Sequence, residues 1–124
     1  MVSARPNRHI LVAEDDPGIA ELMSVVLEQA GFRVTVCANG GEVQKMVERE
    51  LPALVISDLW LPGLDGVKLA KILKSTQDTK HIPIVLVSAQ EKLESAMKKA
   101  KADAFLPKPF DLAELVAVAE KFTA

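Results

Sequence analysis

The segment Leu54–Gly66 has the sequence LVISDLWLPGLDG, in which a short apolar run ends in a carboxylate and a turn. Continuous runs of Leu, Val and Ile are typical of strands that are buried on both faces of a parallel sheet. Asp58 follows this run, and Pro62-Gly63 then breaks the chain. The segment therefore predicts a buried strand that delivers a carboxylate to one edge of a sheet.

Similar apolar runs occur elsewhere in the chain, and stretches with helical periodicity follow each of them. The runs are Ile10–Ala13, Val34–Cys37, Leu54–Ile56, Ile84–Val87 and Ala104–Leu106. Apolar residues recur at spacings of three and four within residues 19–30, 43–47, 69–73, 93–100 and 112–122. This alternation predicts an α/β fold with a five-stranded parallel sheet, five helices on its two faces and right-handed crossovers.

Capping residues agree with these boundaries. Asp16 followed by Pro17 is typical of the start of a helix, and Gly31 stands where a C-terminal glycine cap is common. Asp111 is placed to cap the last helix. The predicted apolar face of the first helix includes Leu22.

The composition indicates one domain, which we expect at residues 9–124 after a flexible lead-in at residues 1–8. The chain has 124 residues and a net charge of -2, without a basic block, so we expect no direct contact with nucleic acid. No apolar stretch is long enough to span a bilayer, and the single cysteine, Cys37, fits a small core residue in a reducing cytoplasm. His9 and His81 are isolated, and we interpret both as surface or loop residues.

Polar side chains follow four of the five predicted strands. Glu14, Asp15 and Asp16 come after the first strand and Asp58 after the third, while Ser88 and Lys108 end the fourth and fifth. The carboxyl ends of parallel strands meet at one edge of the sheet, where ligands bind in open α/β folds. Any one of these residues has a purely structural explanation, such as a helix cap for Asp16, but their coincidence at strand ends favours a site.

The chemistry of such a site is specific. Clustered carboxylates repel one another and favour a hard divalent cation such as Mg²⁺. An aspartate can attack phosphorus and form an aspartyl phosphate, whose transfer requires neutralisation of the phosphoryl oxygens. A metal ion, an ammonium and a hydroxyl would supply that neutralisation.

The chain resembles the response-regulator receiver domain, the CheY-like family of two-component signalling, from about Ile10 to Phe122. Four blocks carry the resemblance: ILVAEDDP at 10–17, VISDLWLPGLDG at 55–66, PIVLVSA at 83–89 and FLPKPF at 105–110. The resemblance implies a doubly wound, flavodoxin-like sheet in the strand order 2-1-3-4-5.

The resemblance also implies roles for individual residues. Asp58 matches the phosphoacceptor of the family and a ligand of its metal ion. Glu14 and Asp15 match the acidic pair that holds Mg²⁺, for which Mn²⁺ is an alternative, and the backbone carbonyl of Trp60 matches a further ligand.

Three more positions match the phosphoryl-binding and switch residues. Lys108 matches the lysine that pairs with the phosphoryl group, and the Lys108–Pro109 peptide bond is expected to be cis. Ser88 matches the switch hydroxyl and Phe105 the switch aromatic. Phe105 lacks the hydroxyl of the commoner tyrosine, and Lys101 replaces a usual glycine.

The implied mechanism is a shift of population. A phosphoryl group on the acceptor would favour the active packing of the surface formed by the fourth helix, the fifth strand and the fifth helix. The implied donor is a phosphohistidine on a sensor histidine kinase or a histidine phosphotransfer protein. The target is an unidentified downstream protein, and homodimerisation through the switch surface stays open.

Two other functions compete with a phosphorylated switch. A haloacid-dehalogenase-type phosphatase would need an acid two residues after the nucleophile, where this chain has Trp60. A pseudo-receiver that only binds partners would commonly lack the acceptor or its acidic pair, and both are present here. We therefore expect a signalling switch and no turnover enzyme. We also expect the Trp60 side chain to shield the acyl phosphate from water.

The context of the domain stays open at this point. The chain fits either a stand-alone regulator or a receiver cut from a larger regulator or hybrid kinase. The sequence does not identify the partner kinase, the pathway or the output.

Overall fold

The computed structural model describes residues 7–89 and 101–124. Seven strands occur in this part of the chain: β1 (His9–Ala13), β2 (Arg33–Cys37), β3 (Leu54–Asp58), β4 (Trp60–Leu61), β5 (Leu64–Asp65), β6 (Ile84–Ala89) and β7 (Ala104–Lys108). The described helices are α1 (Pro17–Gln29), α2 (Gly40–Glu50), α3 (Gly66–Ser75) and α4 (Leu112–Thr123). The helix predicted within residues 93–100 lies outside the described residues, and so does part of the predicted switch surface.

Five of the strands form one parallel sheet in the order β2-β1-β3-β6-β7. The other two, β4 and β5, pair with each other as a short antiparallel hairpin directly after β3. With the hairpin set aside, this order is the predicted 2-1-3-4-5, and the α/β fold is confirmed. Within residues 7–89 and 101–124, each helix is too short or too polar to cross a lipid bilayer.

The sheet separates two apolar cores, because successive residues of a strand point to opposite faces. Leu11 of β1 packs in the core beneath α2 and α3, together with Val47 and Leu69. Ile10 packs in the core beneath α1 and α4, together with Leu27 and Leu115. Both faces of the central strands are therefore covered, and the C-terminal strand ends are left at one rim.

The edge strands differ from the sequence-based expectation of burial on both faces. Val36 of β2 is 43% exposed, and Leu106 is the only residue of β7 that is buried. In the part of the chain that the structure describes, each of these strands pairs with a neighbour on one side only, which leaves it more exposed than the central strands.

The prediction that Leu22 lies on the buried face of α1 is wrong, because its side chain is 49% exposed. The helix covers the sheet with Ala20, Met23 and Leu27, at spacings of three and four residues. Leu22 lies beside this stripe. The caps are partly as predicted: Asp16 accepts a hydrogen bond from the Ile19 N–H at 3.1 Å, whereas the Asp111 side chain makes no capping hydrogen bond.

The interpretation of His9 as a surface or loop residue is also wrong. His9 is the first residue of β1, and its side chain is 1% exposed. Its neighbours Asn7 and Arg8 are likewise bound to the domain. The Asn7 side chain donates to the Leu51 carbonyl at 3.2 Å, and Arg8 donates to the carbonyls of Ala30 and Gly31 at the end of α1. Residues 1–6 of the lead-in predicted at residues 1–8 lie outside the described residues.

Candidate functional site

Three carboxylates meet at the C-terminal rim of the sheet. Because β1 and β3 are neighbours with Ala13 opposite Ser57, the residues that follow them come together. Glu14, Asp15 and Asp58 each offer an oxygen, and these oxygens lie within 4.8 Å of one another. Glu14 is buried, Asp58 is mostly buried and Asp15 is exposed, so the cluster is open to solvent on one side.

Backbone and side-chain hydrogen bonds hold Glu14 in this cluster. Its N–H donates to the Cys37 carbonyl at 3.0 Å, which ties the loop after β1 to the end of β2. One carboxylate oxygen accepts from the Asp16 N–H at 3.1 Å, and the other accepts from the Lys108 ammonium at 2.9 Å. Glu14 is 4% exposed, and its buried charge is therefore paired and hydrogen-bonded.

The Lys108 ammonium connects two of the three carboxylates. Its Nζ lies 2.9 Å from Oε1 of Glu14 and 3.4 Å from Oδ2 of Asp58. Burial by itself lowers the pKa of Lys108, but the hydrogen bond that its ammonium donates to Glu14 and the charge of Asp58 outweigh this effect, so the pKa is raised above its ordinary value. The lysine is thus a permanent cation. The peptide bond between Lys108 and Pro109 is cis.

The two remaining predicted side chains lie farther along the rim. Val87 of β6 is paired with Asp58, and Ser88 follows it, 5% exposed, so its hydroxyl group is on the neighbouring strand. Phe105 of β7 is half-buried and packs against the core beneath α3. The structure therefore brings Glu14, Asp58 and Lys108 into direct contact, whereas Phe105 belongs to the apolar layer.

The hairpin after β3 fixes the chain that carries Trp60. Leu59, between β3 and the hairpin, is buried, whereas Asp58 at the end of β3 is partly exposed. The Trp60 side chain is 54% exposed. The backbone of the hairpin is held because the Gly66 N–H donates to the Leu59 carbonyl at 2.6 Å.

Sequence reasoning missed the residues that support this hairpin. Asp65 accepts from the Val67 N–H at 2.7 Å and caps α3. The Pro62 carbonyl accepts from the Gly40 N–H at 3.0 Å, which joins the hairpin to the start of α2. The signal for Asp65 was present, since an aspartate directly before a helical stretch is a common N-cap. The contact between residues 40 and 62 left no signal in the sequence.

The donor set fits a hard divalent cation. Carboxylate oxygens from three side chains converge, and carboxylates are the ligands that Mg²⁺ prefers in proteins. One ammonium compensates three negative charges only partly. The arrangement can therefore hold a metal ion at the rim and place the Asp58 carboxylate, with Lys108 beside it, where a phosphoryl group could enter.

Comparisons with known proteins point in the same direction. The family model "Response regulator receiver domain" matches residues 10–120. The transcriptional activator protein PfeR of Pseudomonas aeruginosa is 40% identical over 114 residues, which are 89% of this chain and 36% of that protein. The response regulator Rre1 of Synechocystis is 34% identical over 118 residues, which are 93% of this chain and 51% of Rre1. The chain therefore spans about a third to a half of these two relatives.

Solved structures show the same fold. A putative response regulator from Chloroflexus aurantiacus superimposes with a TM-score of 0.88 at 34% identity, covering 94% of this chain and 97% of that one. The receiver domain of the sensor histidine kinase PA1611 from Pseudomonas aeruginosa has a TM-score of 0.85 at 27% identity, covering 94% and 98%. That structure has a magnesium ion coordinated in its active-site cleft.

Proposed function

This chain belongs to the response regulator receiver domain family of two-component signalling, and from that premise we propose that Asp58 is its phosphoacceptor. One observation carries the proposal: the Asp58 carboxylate lies within 4.8 Å of two further carboxylate ligands and 3.4 Å from the Lys108 ammonium. A nucleophile, a cation site and a fixed positive charge thus share one rim of the sheet. The acceptor needs all three.

In the transfer step, an Asp58 oxygen forms a bond to phosphorus while the N–P bond of a phosphohistidine breaks, and the ring nitrogen of the donor keeps the bonding pair. Glu14, Asp15, the Asp58 carboxylate and the Trp60 carbonyl would hold Mg²⁺, or Mn²⁺ in its place. The bound ion would supply charge neutralisation at the phosphoryl oxygens. Lys108 contributes a further positive charge beside Asp58.

After transfer, the new phosphoryl oxygens compete with Glu14 and Asp58 for the Lys108 ammonium and attract the Ser88 hydroxyl. Movement of Ser88 would leave space that Phe105, half-buried on the adjacent strand, could fill. Ser88 and Phe105 would thus couple the rim to the surface of β7 and α4. We propose that the chain works in this way as a switch. It would catalyse only the Mg²⁺-dependent acceptance and loss of its own phosphoryl group.

Mass spectrometry tests this function directly. Incubation with Mg²⁺ and acetyl phosphate is expected to add the mass of one phosphoryl group to the wild-type protein. Asp58→Asn should abolish the gain, whereas Asp78→Asn, which changes an exposed aspartate away from the rim, should retain it. A wild-type protein that gains no mass at any Mg²⁺ concentration would support the alternative, a phosphorylation-independent binding module.

We further propose that the physiological donor is a cytoplasmic sensor histidine kinase or phosphotransfer protein that covers α1 and α4. Both helices begin at the rim that carries Asp58, and Leu22 and Val25 on α1 and Leu112 at the start of α4 expose 49%, 44% and 39% of their surface. Exposed apolar patches of this kind mark interaction surfaces. The double substitution Leu22→Ser and Val25→Ser should slow transfer from a phosphorylated kinase core and leave labelling by acetyl phosphate unchanged. Equal slowing with both donors would contradict docking at α1.

A further inference from the structure

A buried histidine with two polar partners lies at the amino-terminal ends of the strands, on the side of the sheet opposite the rim that carries Asp58. The His9 ring is 1% exposed and its Nε2 lies 2.7 Å from the Thr35 hydroxyl of β2. The Thr35 hydroxyl in turn donates to Oε1 of Glu50, at the end of α2, over 3.4 Å. Oε1 of Glu50 is itself 3.5 Å from Nε2. One imidazole thus joins β1 to β2 and α2.

The direction of these hydrogen bonds fixes the tautomer. A carboxylate can only accept, so the Thr35 hydroxyl donates to Glu50 and accepts from the N–H at Nε2 of His9. The proton of the neutral ring is therefore on Nε2, and Nδ1 has a free lone pair. Nδ1 is the one buried side-chain nitrogen or oxygen without a hydrogen-bond partner among residues 7–89 and 101–124.

Protonation of the ring would create a new problem at Nδ1. It would place an N–H donor without an acceptor, and a positive charge, in a site closed to water. Arg33 of β2 opposes that charge, whereas Glu50 of α2 favours it, and the segment Leu51–Ala53 that leads into β3 contributes no ionisable side chain. Burial is the largest effect and, with Arg33, lowers the pKa of His9 below its ordinary value of 6.5.

We propose that His9 is an acid-sensitive joint that holds β2 and α2 against β1 only while its ring is neutral. Among residues 7–89 and 101–124, β2 is at the edge of the sheet and pairs with β1 alone, so no second described strand holds it when the joint weakens. The effect would reach the acceptor rim. The Cys37 carbonyl of β2 holds the Glu14 N–H, and the Gly40 N–H of α2 holds the Pro62 carbonyl of the hairpin.

The joint does not depend on phosphorylation of Asp58, so it can be tested on the unmodified protein. Amide hydrogen exchange is compared at pH 7.5 and pH 5.5, after correction for the intrinsic exchange rate. We expect a several-fold loss of protection in β2 and α2 on acidification, with β3 and β6 unchanged. A uniform loss over all strands, or none, would contradict a local joint.

Two substitutions distinguish titration from packing. His9→Gln retains a donor for Thr35 and cannot be protonated, so its β2 and α2 protection should be the same at both pH values. Glu50→Gln removes the carboxylate that favours the protonated ring and should enlarge the acid response. His81→Gln, which changes the exposed histidine, should behave as wild type. An acid response that persists in His9→Gln would refute the proposal.

Nuclear magnetic resonance of the ring nitrogens gives a test that needs no variant. At pH 7.5 the ¹⁵N shifts of His9 should show a proton on Nε2 and none on Nδ1. The titration midpoint should lie below the ordinary value of 6.5. A midpoint at or above 6.5, or a proton on Nδ1, would overturn the assignment even if His9→Gln does not fold.

Discussion

Replacing Gly66 with alanine should damage both the stability of the fold and the acceptor site. Gly66 is the first residue of α3, directly after the hairpin. A Cβ added there would lie 2.8 Å from the Leu59 carbonyl oxygen, 3.0 Å from the Leu59 Cα and 3.1 Å from the Asp58 carbonyl oxygen. All three atoms belong to the backbone, so no side-chain rotation can relieve the contacts. The chain that carries Asp58 has to move instead.

The magnitude follows from two opposing effects. Overpacking of this kind costs about 1–3 kcal/mol, while alanine gains up to about 1 kcal/mol over glycine in a helix. We expect a net destabilisation of about 1–2 kcal/mol, since the strain of the backbone exceeds the propensity gain at a helix end. Gly41 is a matched control in the first turn of α2, because its Cβ would meet only Asn39 Oδ1, at 3.5 Å. Gly41→Ala should be neutral or slightly stabilising.

Urea unfolding followed by circular dichroism measures the stability difference, and the rate of labelling by acetyl phosphate measures the effect on the site. Gly66→Ala should lower both the unfolding midpoint and the labelling rate, whereas Gly41→Ala should lower neither. If Gly66→Ala is as stable as wild type and labels as fast, the hairpin does not hold the acceptor loop in the way described.

Further predictions concern Trp60, Arg8 and Cys37. Trp60→Ala should speed loss of the phosphoryl group several-fold, since the exposed indole lies two residues after Asp58 in the hairpin at the rim, and equal or slower loss would refute shielding. Arg8→Ala should destabilise the fold by about 1–2 kcal/mol, because the guanidinium caps the end of α1 and lies 4.0 Å from the centroid of the Phe32 ring. Arg8→Lys should recover part of this loss of stability, as measured by thermal unfolding. Burial, followed by the charges of Glu42 and Glu50, raises the pKa of Cys37 from 9.0 to about 11, so alkylation at pH 8 should be at least about 100-fold slower in the folded protein than in urea. Because the folded state keeps the thiol proton to higher pH, the contribution of Cys37 to stability should be constant below pH 9.0 and be lost as the pH rises toward about 11.

The parts of the fold that depend on local pattern could be predicted from the sequence. The apolar run Leu54–Ile56 and the carboxylate that follows it located β3 and its end at Asp58, because adjacent residues indicate both continuous burial and the end of the strand. The capping of α1 by Asp16 was predictable for the same reason.

The errors concern burial that depends on distant parts of the chain. His9 has a polar ring and follows a polar segment of sequence. Its burial depends on polar contacts with Thr35 and Glu50, which lie far from it in the sequence. Leu22 fits the apolar spacing of α1. The residues of α1 that face the sheet are set, however, by the way α1 crosses the strands and by its contact with α4. Neither fact is encoded in a local window of sequence.

The acceptor rim depends on a strand that contributes no functional side chain to it. β2 ends in Cys37, whose side chain is buried and whose pKa makes it unreactive, and sequence reasoning accordingly assigned the strand no role. The Cys37 carbonyl, however, accepts a hydrogen bond from the Glu14 N–H. The Gly40 N–H, at the start of the helix that follows β2, donates to the Pro62 carbonyl of the hairpin that contains Trp60. Because β2 pairs with β1 alone among the described strands, local opening of this edge would release both supports while β1, β3 and β6 stay paired. If the rim holds a metal ion as proposed, the stability of β2 and α2 should therefore limit how well it does so, even though Glu14 and Asp15 follow β1 and Asp58 ends β3.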